Sequence, residues 1–170
     1  MVMTTKKLKW GLLGISVISA WILGSSIQAG AQTPLLNEYW AAWNSHNTEK
    51  LVSFFTDDCV YEELGLGVIK RGKEEFRAFI NGFFANFPDT NFEMKSSFIS
   101  GNWYCGEWVW TGTYQGNASG VPATGKRFSI RGVSVGELKG DKVKRHSDYY
   151  NRIDFFQQIG VKLVPASPPK

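Results

Sequence analysis

Hydrophobic residues in the first half of the chain recur at the spacing of amphipathic helices. Apolar side chains three and four positions apart predict a first helix from about Pro34 to Ser45. Thr48 is the expected N-cap of a short second helix that extends through Phe55. A third apolar helix face begins near Lys73 and ends where Pro88 cannot continue a helix.

The second half of the chain changes to an alternation of apolar and polar residues with a period of two. This alternation predicts four strands, preceded by a shorter one: Cys59–Glu62, Asn91–Ser100, Trp103–Gln115, Arg127–Leu138 and Lys142–Tyr150. The glycine-punctuated segment 65–72 is expected to be a loop, and a last short helix is expected to end at Gly160. Helices followed by an antiparallel meander predict an α+β fold with the helices on one face of the sheet. A curved sheet of this kind would enclose an aromatic-lined interior that suits a small hydrophobic ligand.

The first 31 residues have the composition of an export signal. Lysines at positions 6, 7 and 9 precede the apolar run 10–24, and an A-x-A pattern ends at Ala31. We expect cleavage after Ala31, a mature domain over 32–162, a disordered Pro-rich tail over 163–170, and a secreted or periplasmic location. An uncleaved N-terminal anchor is the alternative, although the apolar run is shorter than the roughly 20 residues of a spanning helix.

The positive charge of the chain belongs largely to this signal. The chain has 19 Lys and Arg against 15 Asp and Glu, a net charge of +4. Without the three lysines of the signal, sixteen basic residues face fifteen acidic ones, which argues against a nucleic-acid partner. Once the signal is removed, we expect no stable membrane insertion.

Cysteines and metal ligands are few. Cys59 and Cys105 form either a disulfide, which export would permit, or two free thiols. No set of clustered ligands predicts a metal site, and no cofactor is expected.

Several short motifs occur in an order and spacing typical of one superfamily. They are Tyr39-Trp40-Ala41-Ala42-Trp43-Asn44, Phe54-Phe55-Thr56-Asp57-Asp58-Cys59-Val60-Tyr61, Thr111-Gly112-Thr113-Tyr114-Gln115-Gly116 and Gln158-Ile159-Gly160. From about Leu35 to Gly160 the chain resembles the SnoaL-like polyketide cyclases and ketosteroid-isomerase relatives of the nuclear-transport-factor-2-like superfamily. The resemblance implies a cone-shaped fold, in which a curved antiparallel sheet wraps on N-terminal helices. It also implies a homodimer through the exposed sheet face, for which the candidates are Trp108, Trp110 and Tyr114.

Comparison with ketosteroid isomerases implies two catalytic positions. The tyrosine on their first helix, which donates to the substrate oxyanion, corresponds to Tyr39. Their proton-shuttling carboxylate after the first strand corresponds to Glu63. Their second oxyanion donor, a protonated acid, falls near Ser134, so this chain lacks the strongest neutral acid donor of such a site.

Two other enzyme groups of the superfamily direct attention to the end of the last strand. In limonene-epoxide hydrolases an Asp-Arg-Asp trio activates water. Asp148 matches one of those acids and Tyr61 a pocket tyrosine, but the strand that should supply the arginine and the second acid has neither. In polyketide cyclases an aspartate of this segment is the acid/base, and its place here is either Asp148 or Asn151. The histidine of their Thr-His-x-Gly motif is replaced by Tyr114.

Asp148 is the leading candidate for a general acid/base. That role requires burial to raise its pKa from about 4 toward neutrality. The structural alternative is an acid paired with Arg131, Arg145 or Arg152. Strand alternation places Asp148 on one face with His146 and Tyr150. The candidates for ligand contact are Trp43, Tyr61, His146 and Asn151.

Two functions are compatible with these residues. The first is metal-free acid/base catalysis of the cyclase or isomerase type on a small hydrophobic carbonyl compound, with Asp148, Glu63 and Tyr39 in the catalytic roles. The second is a non-catalytic module of the same fold that binds a small hydrophobic molecule.

Overall fold

The computed structural model describes residues 34–116 and 121–161. The predicted signal peptide over 1–31 and the predicted disordered tail over 163–170 therefore lie outside the described residues. Among the residues that are described, no helix has both the length and the apolar character needed to cross a membrane.

Four helices and one six-stranded sheet make up the described chain, and they confirm the α+β class. The helices are α1 (Pro34–Asn44), α2 (Thr48–Val52), α3 (Gly72–Asn86) and α4 (Arg152–Gln158). The strands are β1 (Phe55–Glu63), β2 (Val68–Arg71), β3 (Asn91–Ser100), β4 (Trp103–Thr113), β5 (Arg127–Lys139) and β6 (Lys142–Tyr150). Their order in the sheet is β2-β1-β6-β5-β4-β3, with β1 parallel to β6 and all other neighbours antiparallel. The parallel pairing brings the end of β1 beside the end of β6.

The first strand is longer than the sequence indicates, and the second helix is shorter. The N-cap of α2 is Asn47, whose side chain accepts from the Lys50 amide, and not Thr48 as predicted. Phe55 opens β1 instead of continuing the helix, because it pairs with Val143 of β6 and is fully buried. A long-range strand pairing thus overrides a local apolar run that suggested a helix.

The segment predicted to be a loop after β1 contains an additional strand. Val68–Arg71 forms β2, which pairs antiparallel with the end of β1. This strand is only four residues long and lies at the edge of the sheet, so its alternation is too short to be read as a pattern.

The prediction that Trp108, Trp110 and Tyr114 form an exposed face is wrong. All three are buried under the helices, and the opposite face of β4 carries Trp103, which is 45% exposed. Alternation identifies two faces of a strand but does not say which one is inside when both contain apolar residues. The predicted homodimer itself stays a prediction.

Glycines on the inner face of β5 make room for large aromatic side chains of β4. A Cβ on Gly132 would lie 2.1 Å from the Trp108 ring, and one on Gly136 would lie 2.3 Å from Tyr104. Trp108 and Tyr104 therefore lie flat against the sheet, and both reach polar partners that are described below.

The two cysteines are free thiols. Cys59 is in β1 and Cys105 is in β4, and β6 and β5 lie between those strands. Three interstrand spacings amount to about 14 Å along the sheet, twice the roughly 7 Å within which two Cα atoms can be bridged. Of the two alternatives open from the sequence, the disulfide is therefore the wrong one.

Candidate functional site

Asp148 lies at the centre of a hydrogen-bond cluster on the inner face of the sheet. It faces Glu63 of β1 and Ser134 of β5 in the strand register. Its Oδ1 accepts from Ser134 Oγ at 2.5 Å and from His146 Nε2 at 2.8 Å. Its Oδ2 accepts from the Tyr61 hydroxyl at 2.8 Å. Three adjacent strands thus direct hydrogen-bond donors at one buried carboxylate.

These donors determine the direction in which the pKa of Asp148 shifts. Burial acts to raise the pKa, but the electrostatic interaction with His146 and the three hydrogen bonds outweigh it, so the pKa of Asp148 lies below its ordinary value. Burial therefore does not bring this acid toward neutrality, as the role of general acid/base would require. Asp148 is an anion in the folded protein at physiological pH.

The three arginines considered as partners of Asp148 interact with other groups. Arg145 pairs with Glu62 at 2.8 Å, and Arg131 pairs with Glu107 on the outer face of the sheet. The guanidinium of Arg152 lies 4.7 Å from the centre of the Phe156 ring. The groups that stabilise the charge of Asp148 are therefore the histidine and two hydroxyls described above.

A second layer of buried polar groups lies behind Asp148. Since a carboxylate only accepts, His146 Nε2 carries the proton of their hydrogen bond. His146 Nδ1 lies 2.9 Å from the Tyr39 hydroxyl and 2.6 Å from the Tyr104 hydroxyl. The imidazole stacks on the Tyr61 ring, with 5.3 Å between centroids and 8° between planes. This layer fixes the orientation of the histidine.

Ser134, the position where ketosteroid isomerases have an acid, also belongs to the cluster. Its hydroxyl accepts from Trp108 Nε1 at 2.8 Å and donates to Asp148. Trp108 can reach the serine because Gly132 leaves room for the indole. Through these two hydrogen bonds, Ser134 connects the Trp108 indole to the carboxylate of Asp148.

Glu63, the last residue of β1, is the second buried acid. Its side chain is only 6% exposed, and Oε2 accepts from the Leu66 amide at 2.6 Å. Oε1 is buried and has no hydrogen-bond partner among the described residues. Burial raises the pKa of Glu63 to about 7, although interactions with Tyr150 and the Leu66 amide oppose the rise. Glu63 thus changes its charge near neutral pH, which Asp148 does not.

An aromatic pocket opens over these two carboxyls. The space between its walls is about 630 Å³, counting the open mouth. Its main aromatic walls are Trp43 of α1, Phe79 and Phe83 of α3, Phe92 of β3, and Trp108 and Trp110 of β4. The polar side-chain groups among the described lining residues are the carboxyls of Glu63 and Asp148, tyrosine hydroxyls and tryptophan indole N–H groups. An apolar cavity with a few convergent polar groups is the usual form of a small-molecule site.

The family model for SnoaL-like polyketide cyclases matches residues 34–159. The chain belongs to the SnoaL-like polyketide cyclase family. The matched segment includes every element of the sheet and all the residues of the site. The fold and its resemblance to ketosteroid isomerases are thereby confirmed.

Among curated proteins, the chain is similar to the aklanonic acid methyl ester cyclase DauD of Streptomyces sp. (strain C5). The two are 25% identical over 135 residues, which cover 76% of this chain and 81% of that protein. Among solved structures, it is similar to a protein of Catenulispora acidiphila with a ketosteroid isomerase-like fold, determined in complex with trimethylamine. The TM-score is 0.70 at 18% identity, covering 79% of this chain and 100% of that chain. TsrD of Streptomyces laurentii matches with a TM-score of 0.66 at 20% identity, covering 75% and 93%.

Within this member of the SnoaL-like family, four of the predicted site residues meet in the pocket. Asp148, Glu63, Tyr61 and Trp43 all line it. Tyr61 does so with its hydroxyl donated to Asp148. The strand register explains the meeting of the two acids, because β1 and β6 run in parallel and end side by side.

Three other predicted site residues lie outside the pocket wall. Tyr39 and His146 are in the layer behind Asp148, with their polar atoms directed at each other. Asn151 is the N-cap of α4, where its side chain accepts from the amides of Ile153 and Asp154 at 3.0 and 3.1 Å. Of the two positions considered for the cyclase acid, only Asp148 is in the pocket.

Two polar participants were not singled out from the sequence. Tyr150 lines the pocket beside Glu63, and burial raises the pKa of its hydroxyl, which keeps its proton. The signal for Tyr150 was strand alternation, which places it on the face of Asp148. Tyr104 contacts His146, and its inward position follows from alternation with Trp108. Tyr150 ends the Asp148-Tyr149-Tyr150 motif, whereas Tyr104 belongs to none of the motifs named from the sequence.

Proposed function

We propose that this protein is an enzyme of the cyclase or isomerase type that performs acid–base catalysis on a small hydrophobic carbonyl compound. The observation that carries the proposal is Glu63, a buried acid with one unpartnered oxygen and a pKa near 7, in the wall of an aromatic pocket. A base with a pKa close to the working pH transfers protons most effectively. Membership of a cyclase family and the similarity to DauD support the same class of reaction.

The chemistry assigned to Glu63 is reversible proton transfer at carbon. Its carboxylate removes a proton from the carbon next to the carbonyl, which leaves an enolate. In an isomerisation the carboxylic acid returns this proton to another carbon. In a cyclisation the enolate attacks a second carbonyl, and the proton goes to the new alkoxide. Tyr150 is assigned as the hydrogen-bond donor for the oxygen: its raised pKa keeps the hydroxyl protonated, and in the reaction this hydroxyl turns to the substrate from the Glu63 carboxyl, with which it interacts in the free protein.

Asp148 has a different role in the proposed reaction. Its lowered pKa and three donors make it a weak base, so it orients Tyr61 and fixes the charge of the pocket floor. It remains the competing candidate for the base, as the sequence suggested. The two assignments differ in pH dependence: a reaction through Glu63 accelerates as pH rises through about 7, whereas one through Asp148 is flat above its low pKa.

The test measures proton abstraction directly, with 2-tetralone in D₂O as a small aromatic ketone probe. NMR follows exchange of the protons next to the carbonyl. We expect exchange above the buffer rate that rises through neutral pH, is lost in Glu63→Gln, and is retained in Glu107→Gln on the outer face. Retention in Glu63→Gln together with loss in Asp148→Asn, under conditions where circular dichroism shows that Asp148→Asn is still folded, would transfer the role to Asp148. No exchange above the buffer rate would refute the proposal for this compound class.

A second candidate is a non-catalytic module that binds a small hydrophobic molecule. The observation in its favour is that Asp148, Tyr61 and Tyr39 all direct their polar atoms at internal partners. Mass spectrometry of ligands extracted from the purified mature protein separates the two candidates. One retained compound, unchanged after incubation, supports binding; conversion of that compound supports catalysis.

We also propose that the protein is exported to the periplasm or secreted, with residues 1–31 removed. The support is the lysine-rich start, the apolar run and the A-x-A pattern. N-terminal sequencing of the protein recovered from its native cells should begin at Gln32. A chain that still carries residues 10–24 would favour the anchor instead.

A further inference from the structure

The walls of the pocket are unusual in the sign of their charge. The described lining residues include two acids, Glu63 and Asp148, and no lysine, arginine or histidine. The carboxylates would repel an acidic substrate, and a neutral ketone could use Glu63 as a base but would bring no counter-charge for the two acids. A site of this composition favours a ligand that brings positive charge of its own.

The two acids differ in their hydrogen-bond partners, and this difference indicates that Glu63 is the acid that contacts the ligand. Asp148 is satisfied by Ser134, His146 and Tyr61. Glu63 keeps Oε1 buried without a partner at hydrogen-bonding geometry among the described residues, although the Tyr150 hydroxyl interacts with this carboxyl. A buried polar atom without a partner costs free energy, so a group outside the protein is expected to meet it.

The aromatic walls contain ring types that attract an ammonium group. The Phe92 and Trp110 rings are nearly parallel with their centroids 6.0 Å apart, and Trp108 meets Phe92 edge to face with centroids 5.6 Å apart. Tyr150 lies 6.0 Å from Trp110 and also interacts with Glu63. Tryptophan and tyrosine faces attract cations, and this attraction grows when water is excluded.

We propose that the pocket selects ligands that carry an ammonium group, so that the substrate is an apolar carbonyl compound with a protonated or quaternary amine. The inference rests on the proposed function for the location of the substrate site and adds the charge of the substrate. It also removes an electrostatic difficulty of the reaction. An enolate that forms near anionic Asp148 is repelled by it, and a cationic group in the same pocket compensates that repulsion.

Ligand charge and the protonation of Glu63 are coupled. The titratable groups that interact with Glu63 are Asp148 and Tyr150 from β6, Tyr61 from β1, and Arg152 from α4. Arg152 is exposed, lies over Phe156 and does not line the pocket. A cation beside Glu63 stabilises the carboxylate, so it binds more tightly as pH rises through neutrality and displaces a proton when it binds.

The test compares two probes of the same shape, choline and 3,3-dimethylbutan-1-ol, which differ in one positive charge. Binding is followed by fluorescence of the pocket tryptophans and by calorimetry. We expect choline to bind at least tenfold more tightly at pH 8, and this preference to fall several-fold at pH 6. Because both probes keep their charge state between these pH values, the change reports on the protein.

Substitutions of Glu63 and Glu107 show whether the preference for choline depends on the carboxyl in the pocket. Glu63→Gln is expected to weaken choline binding about tenfold and to leave the alcohol within twofold, while Glu107→Gln, the same charge change outside the pocket, alters neither. Equal binding of both probes, equal weakening of both by Glu63→Gln, or no binding of choline would overturn the inference. Exchange of 2-tetralone protons is measured separately. If choline is preferred but 2-tetralone shows no exchange, the inference about ligand charge stands and the proposed reaction is refuted. If exchange occurs without a preference for choline, the proposed reaction stands and the inference is refuted.

Discussion

Glu63 and Asp148 lie directly opposite each other in the parallel register of β1 and β6, and their pKa values shift in opposite directions. Both acids are buried, so burial alone does not separate them. The difference lies in their hydrogen bonds: Asp148 accepts from two hydroxyls and a histidine, whereas Glu63 accepts from the Leu66 amide and keeps one oxygen unpartnered. Two carboxyls in different protonation states in one pocket are typical of sites that move protons.

The raised pKa of Glu63 makes the folded protein less stable as pH increases. In the folded state the pKa is about 7, against about 4.5 when unfolded, so the folded state binds more protons between these values. The favourable contribution is complete below pH 4.5 and is lost as pH rises through 7. The loss amounts to about 3.5 kcal/mol at most, from about 1.4 kcal/mol per pKa unit.

Urea denaturation of the wild type and of Glu63→Gln at pH 5 and pH 8 measures this contribution. Glutamine keeps an oxygen for the Leu66 amide and cannot ionise. We expect the variant to gain stability relative to the wild type by up to about 3 kcal/mol between the two pH values. Parallel pH dependences of the two proteins would show that Glu63 titrates normally.

Tyr150→Phe is expected to move the pKa of Glu63 further upward. The Tyr150 hydroxyl interacts with the Glu63 carboxyl and acts to lower its pKa. Without this hydroxyl, burial and the negative charge of Asp148, which both raise the pKa of Glu63, are less strongly opposed. The carboxyl ¹³C shift of labelled Glu63, followed through a pH titration by NMR, gives the midpoint in both proteins. Tyr149→Phe, an exposed neighbour on the other face of β6, is the control and should leave it unchanged.

Asp148→Asn is expected to destabilise the fold and not merely to affect activity. The change removes the acceptor of His146 Nε2 and places an amide among donors, and breaking a buried pair of this kind costs about 3–5 kcal/mol. A double-mutant cycle with His146→Gln separates the pair from its surroundings. We expect a coupling energy of about 1–3 kcal/mol. Additive effects would mean that the histidine does not stabilise the carboxylate.

Sequence reasoning was accurate where the information is local. The alternation over 91–100 and 142–150 gives β3 and β6 with their exact ends, and the motifs give the family. It failed where the deciding contact is distant. Tyr61 reaches Asp148 across 87 positions and Tyr39 reaches His146 across 107, so the sequence placed Asp148 on one strand face with His146 and Tyr150 but did not show that it is stabilised as an anion. The direction of a pKa shift depends on such contacts.

Substitution of Gly132 tests whether Trp108 keeps Ser134 and Asp148 in position. A Cβ at this position would lie 2.1 Å from the Trp108 ring, which must move and so lose its hydrogen bond to Ser134. Gly132→Ala should therefore cost about 2 kcal/mol or more, because overpacking a dense core costs about 1–3 kcal/mol and the lost hydrogen bond adds to it.

The matched control is Gly82→Ala on the exposed side of α3, where a Cβ meets nothing within 4 Å. It should raise stability by about 0.5–1 kcal/mol, since alanine is the better helix former. Measurement of the pKa of Glu63 in both variants shows whether the change in packing at Trp108 extends to the pocket. If Trp108 positions Ser134 and through it Asp148, Gly132→Ala also moves the Asp148 carboxylate relative to Glu63 and shifts the midpoint of Glu63, while Gly82→Ala does not. A destabilised Gly132→Ala with an unchanged midpoint would confine the role of Trp108 to packing.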